Sequence, residues 1–99
     1  MHSLDNESLN RLMDVISRLQ SKDECFRFFE DLCTVKELLD MAQRLDVAIL
    51  LRNGANYQTI SQQVNVSTAT ISRVSRCLNY GKGGYKTVIQ KLTEGEEAK

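Results

Sequence analysis

The sequence predicts an all-α protein of about six helices. Apolar residues recur at helical spacing along nearly the whole chain, alternating apolar–polar runs are scarce, and the 99 residues contain no proline. With 41% hydrophobic and 26% charged residues, the length fits one small domain. A chain of this size buries only about 60–65% of the surface that its unfolded form exposes, so a second copy is an expected source of additional core.

The first helix rests on Leu9, Leu12, Met13, Ile16 and Leu19, with Asn10, Arg11, Asp14 and Arg18 on the other side. Ser21-Lys22-Asp23 is a polar break whose Ser or Asp caps the next turn, and Cys25, Phe26, Phe29, Leu32 and Cys33 repeat the pattern. Phe26, Phe28 and Phe29 are a large apolar load for a short helix, read first as core and second as a subunit interface. Thr34-Val35-Lys36-Glu37 fits a capping box and opens a third helix. Its apolar positions run from Leu38 to Leu51 until Asn53-Gly54 supplies a left-handed stop.

From Tyr57 the spacing fits two short helices crossing at a steep angle. Such a unit needs buried apolar side chains where this chain has Ile60, Val64, Val66, Ile71 and Val74. It also needs a small residue at the crossing (Ser61), a residue tolerant of left-handed backbone in the turn (Asn65) and an N-cap before the second helix (Ser67). An ordinary helical hairpin meets the apolar sites equally well, so Ser61, Asn65 and Ser67 carry the discrimination in favour of a helix-turn-helix over residues 57–78. Tyr80-Gly81-Lys82-Gly83-Gly84 then stops the second helix of the pair and makes a flexible joint, and Tyr85, Val88, Ile89 and Leu92 form a last amphipathic helix. The domain is expected to span 1–93, with 94–99 a disordered acidic tail.

The formal net charge is zero, yet charge is segregated. Residues 1–46 hold ten acids against six Lys or Arg, whereas residues 47–93 hold no acid and six bases: Arg52, Arg73, Arg76, Lys82, Lys86 and Lys91. A polyanion meets no carboxylate repulsion there. If Ile71, Val74 and Leu78 pack inward, helix geometry turns Thr68, Ala69, Ser72, Arg73, Ser75 and Arg76 outward, with Thr70 at the flank. Short Ser, Thr and Ala side chains suit close entry into a major groove. Gln58, Thr59, Arg73, Arg76 and Lys82 are placed to meet phosphates, and Ser67, Thr68, Ala69, Thr70 and Ser72 complete the expected DNA-binding set.

Other chemistries find less support. The only histidine, His2, stands near the start of the chain, and Cys25, Cys33 and Cys77 lack C-x-x-C spacing, which argues against a metal site, a disulfide framework and a Ser or Cys nucleophile with its usual base. Reduced cytoplasmic thiols packed as small hydrophobes are expected instead. Gly81-Lys82-Gly83-Gly84 does not have phosphate-loop spacing. No apolar run is long enough for a membrane span, and the polar Met1–Glu7 stretch is unlike a secretory leader. The expectation is a cytoplasmic protein that is not an enzyme, has no cofactor, metal or membrane partner, and binds double-stranded DNA.

From about Phe28 to Leu92 the chain resembles the Trp repressor superfamily, and more closely its YerC/YecD-type branch of small TrpR-like bacterial proteins. The resemblance is carried by Thr34-x-x-Glu37, Arg44, Leu51, Gly54, Gln58 and Ser67-Thr68-Ala69-Thr70-Ile71-Ser72-Arg73. It implies an intertwined all-helical homodimer whose two recognition helices enter successive major grooves. It also implies a corepressor site, in which two arginines that hold an indole match Arg44 and Arg73, and a ligand-binding threonine matches Thr34. Two positions depart: Val74 stands where the family's glycine leaves room for the ligand, and Cys77 where a serine meets its amino group. These departures disfavour tryptophan and leave another small corepressor open. The expected function is sequence-specific transcriptional regulation, most simply repression. The rival expectation is a helical protein-interaction module that uses the same fold without reading DNA.

Overall fold

The computed structural model describes the backbone of residues 6–97 and the side chains of residues 6–95. His2 and residues 98–99 of the expected tail lie outside the described residues. Among the described residues the chain forms α1 (Glu7–Ser17), α2 (Lys22–Leu32), α3 (Val35–Arg52), α4 (Tyr57–Gln63), α5 (Thr68–Tyr80) and α6 (Gly84–Glu97), with no strand. The all-α class expected from the spacing is therefore the observed one. Backbone contacts divide the chain into two compact units, Met1–Leu38 and Leu39–Lys99.

In the first unit each helix starts on a side-chain cap, which satisfies amide groups that have no partner within the first turn. Asn6 Oδ1 accepts from the Leu9 amide at 2.8 Å, and Ser21 Oγ accepts from the Glu24 amide at 3.1 Å. The capping box at Thr34 closes in both directions: the Glu37 amide donates to Thr34 Oγ1 at 3.1 Å, and the Thr34 amide donates to Glu37 Oε1 at 2.8 Å. The Thr34 amide first, and the Thr34 hydroxyl second, hydrogen-bond the Glu37 carboxyl and hold it below its ordinary value of 4.5. No side chain of α1 or α2 is buried. Phe28 and Phe29 meet edge to face with centroids 5.4 Å apart, while Phe26 stays 60% exposed. The two helices have the expected amphipathic faces, on which Leu9, Leu12, Ile16, Phe28 and Phe29 are half-buried and Met13, Phe26 and Leu32 exposed.

The second unit holds the core. Val47 and Ala48 of α3, Ile60 of α4, Ile71 and Val74 of α5 and Ile89 of α6 form one buried cluster, with Leu78 also buried. Packing of this kind, at about 1.5–3 kcal/mol for each large aliphatic side chain removed from water, fixes α5 against α4 and α6. The α3–α4 connection is a Schellman motif. The Ala55 amide donates to the Leu50 carbonyl and the Gly54 amide to the Leu51 carbonyl, each at 3.0 Å, with Gly54 at φ +90° as the glycine stop expected from sequence.

The C-terminus differs from expectation. Residues 94–97, read as the start of a disordered tail, continue α6 through Glu97. Thr93 Oγ1 donates to the Ile89 carbonyl at 3.1 Å, and Gln90 Nε2 to Glu94 Oε1 at 3.2 Å. Once Ile89 anchors the helix, each further residue adds a backbone bond without a new nucleus, which carries the helix past Gly95 despite its low propensity.

Candidate nucleic-acid interface

Helix α4 is opened by Asn56, whose Oδ1 accepts from the Thr59 amide at 2.8 Å. At its other end Val64 is extended, with φ −124° and ψ 131°, and the Val66 amide donates to the Val64 carbonyl at 2.8 Å. This bond closes a three-residue turn centred on Asn65. The expected left-handed Asn65 is not found, since no described non-glycine residue has positive φ. A turn of this type reverses the chain at negative φ, so its geometry does not require the tolerance that asparagine offers. Ser61 also departs from its expected place facing α5: it is exposed, and its Oγ donates to the Gln58 carbonyl at 3.0 Å.

Ser67 begins α5 as expected. Its Oγ accepts from the Thr70 amide at 3.2 Å and lies 3.1 Å from Thr70 Oγ1. The two hydroxyls are therefore engaged with each other and with the backbone, and they act first on the helix start. Ile71 at 0%, Val74 at 1% and Leu78 at 6% exposure hold one side of α5 in the core. The opposite side presents Thr68, Ala69, Ser72, Arg73 and Arg76, all exposed, whereas Thr70 is half-buried. Gln58 is exposed and Thr59 half-buried at the start of α4, and Lys82 is exposed beyond α5.

The electrostatics follow the sequence pattern. Arg52, Arg73, Arg76, Lys82, Lys86 and Lys91 are all exposed. The ion pairs Arg18–Asp14, at 3.7 Å, and Arg27–Asp23, at 2.9 Å, lie in the first unit and involve none of these six cations. Among the described residues there is no group of three or more side chains fit to hold a metal, and no helix is long and apolar enough to cross a membrane.

The residues matched to a ligand site fall in both units. Thr34 spends its hydroxyl oxygen on the helix cap in the first unit, and Arg44 and Arg73 are half-buried and exposed, respectively, in the second. Val74 is sealed in the core. Cys77 is exposed rather than packed as a small hydrophobe, and with Leu45, Gly81, Lys82, Tyr85 and Val88 it lines an apolar cavity of about 510 Å³. Cys77 and Lys82 are expected site residues, whereas Leu45, Tyr85 and Val88 carry only a helix-packing pattern in the sequence. Asn56 immediately before Tyr57 is a standard helix-start signal that marks the beginning of α4.

A family model for the Trp repressor protein matches residues 7–93. The chain belongs to the Trp repressor family. The YerC protein of Bacillus subtilis strain 168, itself uncharacterized, is 46% identical over 93 residues, covering 94% of this chain and 89% of YerC. Among solved structures, a candidate Trp repressor from Staphylococcus aureus superposes with a TM-score of 0.86 at 42% identity, covering 91% of this chain and 90% of that one. A TrpR-like protein from Eubacterium eligens ATCC 27750 superposes with a TM-score of 0.87 at 43% identity, covering 91% and 93%. Trp repressor family members are helix-turn-helix DNA-binding regulators; here α4 and α5 are consecutive helices in contact, joined by the turn at Asn65.

Proposed function

We propose that this protein is a sequence-specific DNA-binding transcriptional regulator, a repressor that acts in the cytoplasm as a homodimer by occluding promoter DNA. One α5 of each protomer enters each of two successive major grooves, with half-sites about 34 Å apart. The observation that carries the reading is the outward side of α5: short polar and methyl-bearing side chains followed by two arginines, on a helix whose other side is locked in the core. Thr68, Ala69 and Ser72 meet base edges, Arg73, Arg76, Lys82, Gln58 and Thr59 meet phosphates, and Ser67 with Thr70 sets the entry of the helix.

The dimer is supported by what the single chain leaves uncovered. Phe26 at 60%, Met13 at 56%, Leu32 at 50% and Val35 at 73% exposure are costly to leave in water, and α1 and α2 bury no side chain at all. Residues 1–93 then act as a single domain completed by its partner.

The test is selection of bound fragments from the source genome, followed by binding titrations on the enriched duplex. The expected product is a motif with two-fold symmetry and half-sites one helical turn apart. Binding without preferred sequence that disappears at modestly raised salt overturns the reading and favours the protein-interaction module.

A further inference from the structure

Tyr80 has no role in the reading above. It is 87% exposed, more than any other large apolar side chain among the described residues. It is the last residue of α5, and its place on that helix is fixed by geometry. At about 100° per residue, Ile71, Val74 and Leu78 occupy an arc of about 60°, and Ala69, Arg73, Arg76 and Tyr80 occupy an arc of similar width on the opposite side. Tyr80 therefore continues the line that begins at Ala69 and runs through both arginines.

Distance along the axis determines what that line meets. With a rise of 1.5 Å per residue, Tyr80 stands about 18 Å beyond Thr68 and about 6 Å beyond Arg76. A major groove is about 12 Å wide, so a helix that inserts its first turns carries its last turn past the groove edge and over the sugar–phosphate strand. The end of the helix is held in place. A Cβ at Gly81 would run into the Cys77 carbonyl oxygen, so the chain leaves α5 at this glycine, and the Gly81 amide closes the last turn on that same carbonyl at 2.9 Å. Lys82 follows directly, and the nearest acid in sequence on either side is Asp46 or Glu94.

We propose that Tyr80 is a phosphate-contacting residue of the DNA interface, its phenolic O–H donating to a backbone phosphate oxygen at the groove edge. The proposal rests on the DNA-binding reading of α5 and adds an uncharged contact to it. A hydroxyl donor, unlike an arginine, displaces no counterion, so its loss lowers affinity without changing the salt dependence.

The experiment compares wild type, Tyr80→Phe, Tyr80→Ala and Arg76→Ala on a fluorescein-labelled mixed-sequence duplex, by anisotropy over a range of salt. Tyr80→Phe removes only an exposed oxygen and leaves the fold unchanged. It is expected to weaken binding about threefold to tenfold at every salt concentration, on a line parallel to wild type. Arg76→Ala is expected to reduce the slope magnitude by about 0.9. A Tyr80→Phe line that superimposes on wild type overturns the assignment, whether or not Tyr80→Ala weakens binding, because the hydroxyl then contributes nothing. A wild-type chain that binds the duplex at no salt concentration overturns the parent reading, and that result is visible without any Tyr80 variant.

Discussion

Substitutions at Ser67 separate the two jobs assigned to the start of α5. Ser67→Ala removes the oxygen that accepts from the Thr70 amide at 3.2 Å and pairs with Thr70 Oγ1 at 3.1 Å. Loss of an N-cap of this kind costs about 1 kcal/mol, which lowers the melting temperature of a domain of this size by about 4–8 °C at fixed protein concentration. Ser67→Asp keeps a capping oxygen and places negative charge at the positive end of the helix dipole, so its stability is expected to stay within about 1 kcal/mol of wild type. On DNA the order inverts. A carboxylate about 6 Å from a phosphate, at an effective dielectric near 20, opposes binding by about 2–3 kcal/mol, or roughly 30- to 160-fold before salt screening. Thermal and urea unfolding followed by circular dichroism, with anisotropy on the selected duplex, measures both quantities. If Ser67→Asp loses as much stability as Ser67→Ala, the cap assignment is wrong; if it binds duplex as wild type does, the N-terminal end of α5 does not face DNA.

Three further outcomes are expected. Arg73→Ala and Arg76→Ala each flatten the log–log salt dependence of duplex binding by about 0.9, while Thr68→Ala and Ser72→Ala leave the slope and change which selected sequences are preferred, as read by competition titration. Because the Thr34 amide and hydroxyl hold the Glu37 carboxyl low, its contribution to stability is complete above its ordinary value of 4.5 and is lost as pH falls through the lower folded value; Glu37→Gln is expected to remove that part of the acid decline in urea stability, and parallel pH curves for the two proteins would contradict it. Calorimetry with L-tryptophan is expected to show no binding heat, and saturable heat with 1:1 stoichiometry would refute the closed site inferred from Val74.

Most of the local architecture was legible because it is written in short intervals. The capping box at Thr34, the cap at Ser67 and the glycine stop at Gly54 each involve residues three to five positions apart, and each closes with the expected hydrogen bonds. The turn at Asn65 was not legible, because a left-handed residue and a turn at negative φ reverse the chain equally well and the amino-acid type suits both. Periodicity likewise identified the apolar faces but not what covers them. Val47 and Phe26 satisfy the same helical pattern, yet one is fully buried and the other 60% exposed. Among the candidate DNA residues, exposure agreed with the helical wheel for Thr68, Ala69, Ser72, Arg73 and Arg76, whereas the mutual engagement of Ser67 and Thr70 depends on rotamers that no sequence spacing encodes.

The position of Val74 bears on how such a regulator is controlled. It lies on α5 directly after Arg73 and belongs to the buried cluster with Ile60 and Ile71, so α5 is held against its neighbours by core side chains. Opening a ligand-sized space there by removing the valine side chain would leave a cavity in the helix-turn-helix core, at a cost of about 2 kcal/mol or more. On the proposed DNA-binding reading, the outward side of α5 is positioned by the burial of Ile71, Val74 and Leu78. What the chain does lack on its own is cover for α1 and α2. If a second copy supplies that cover, assembly is linked to protein concentration by mass action, and occupancy of a two-half-site operator rises more steeply than linearly with the amount of chain.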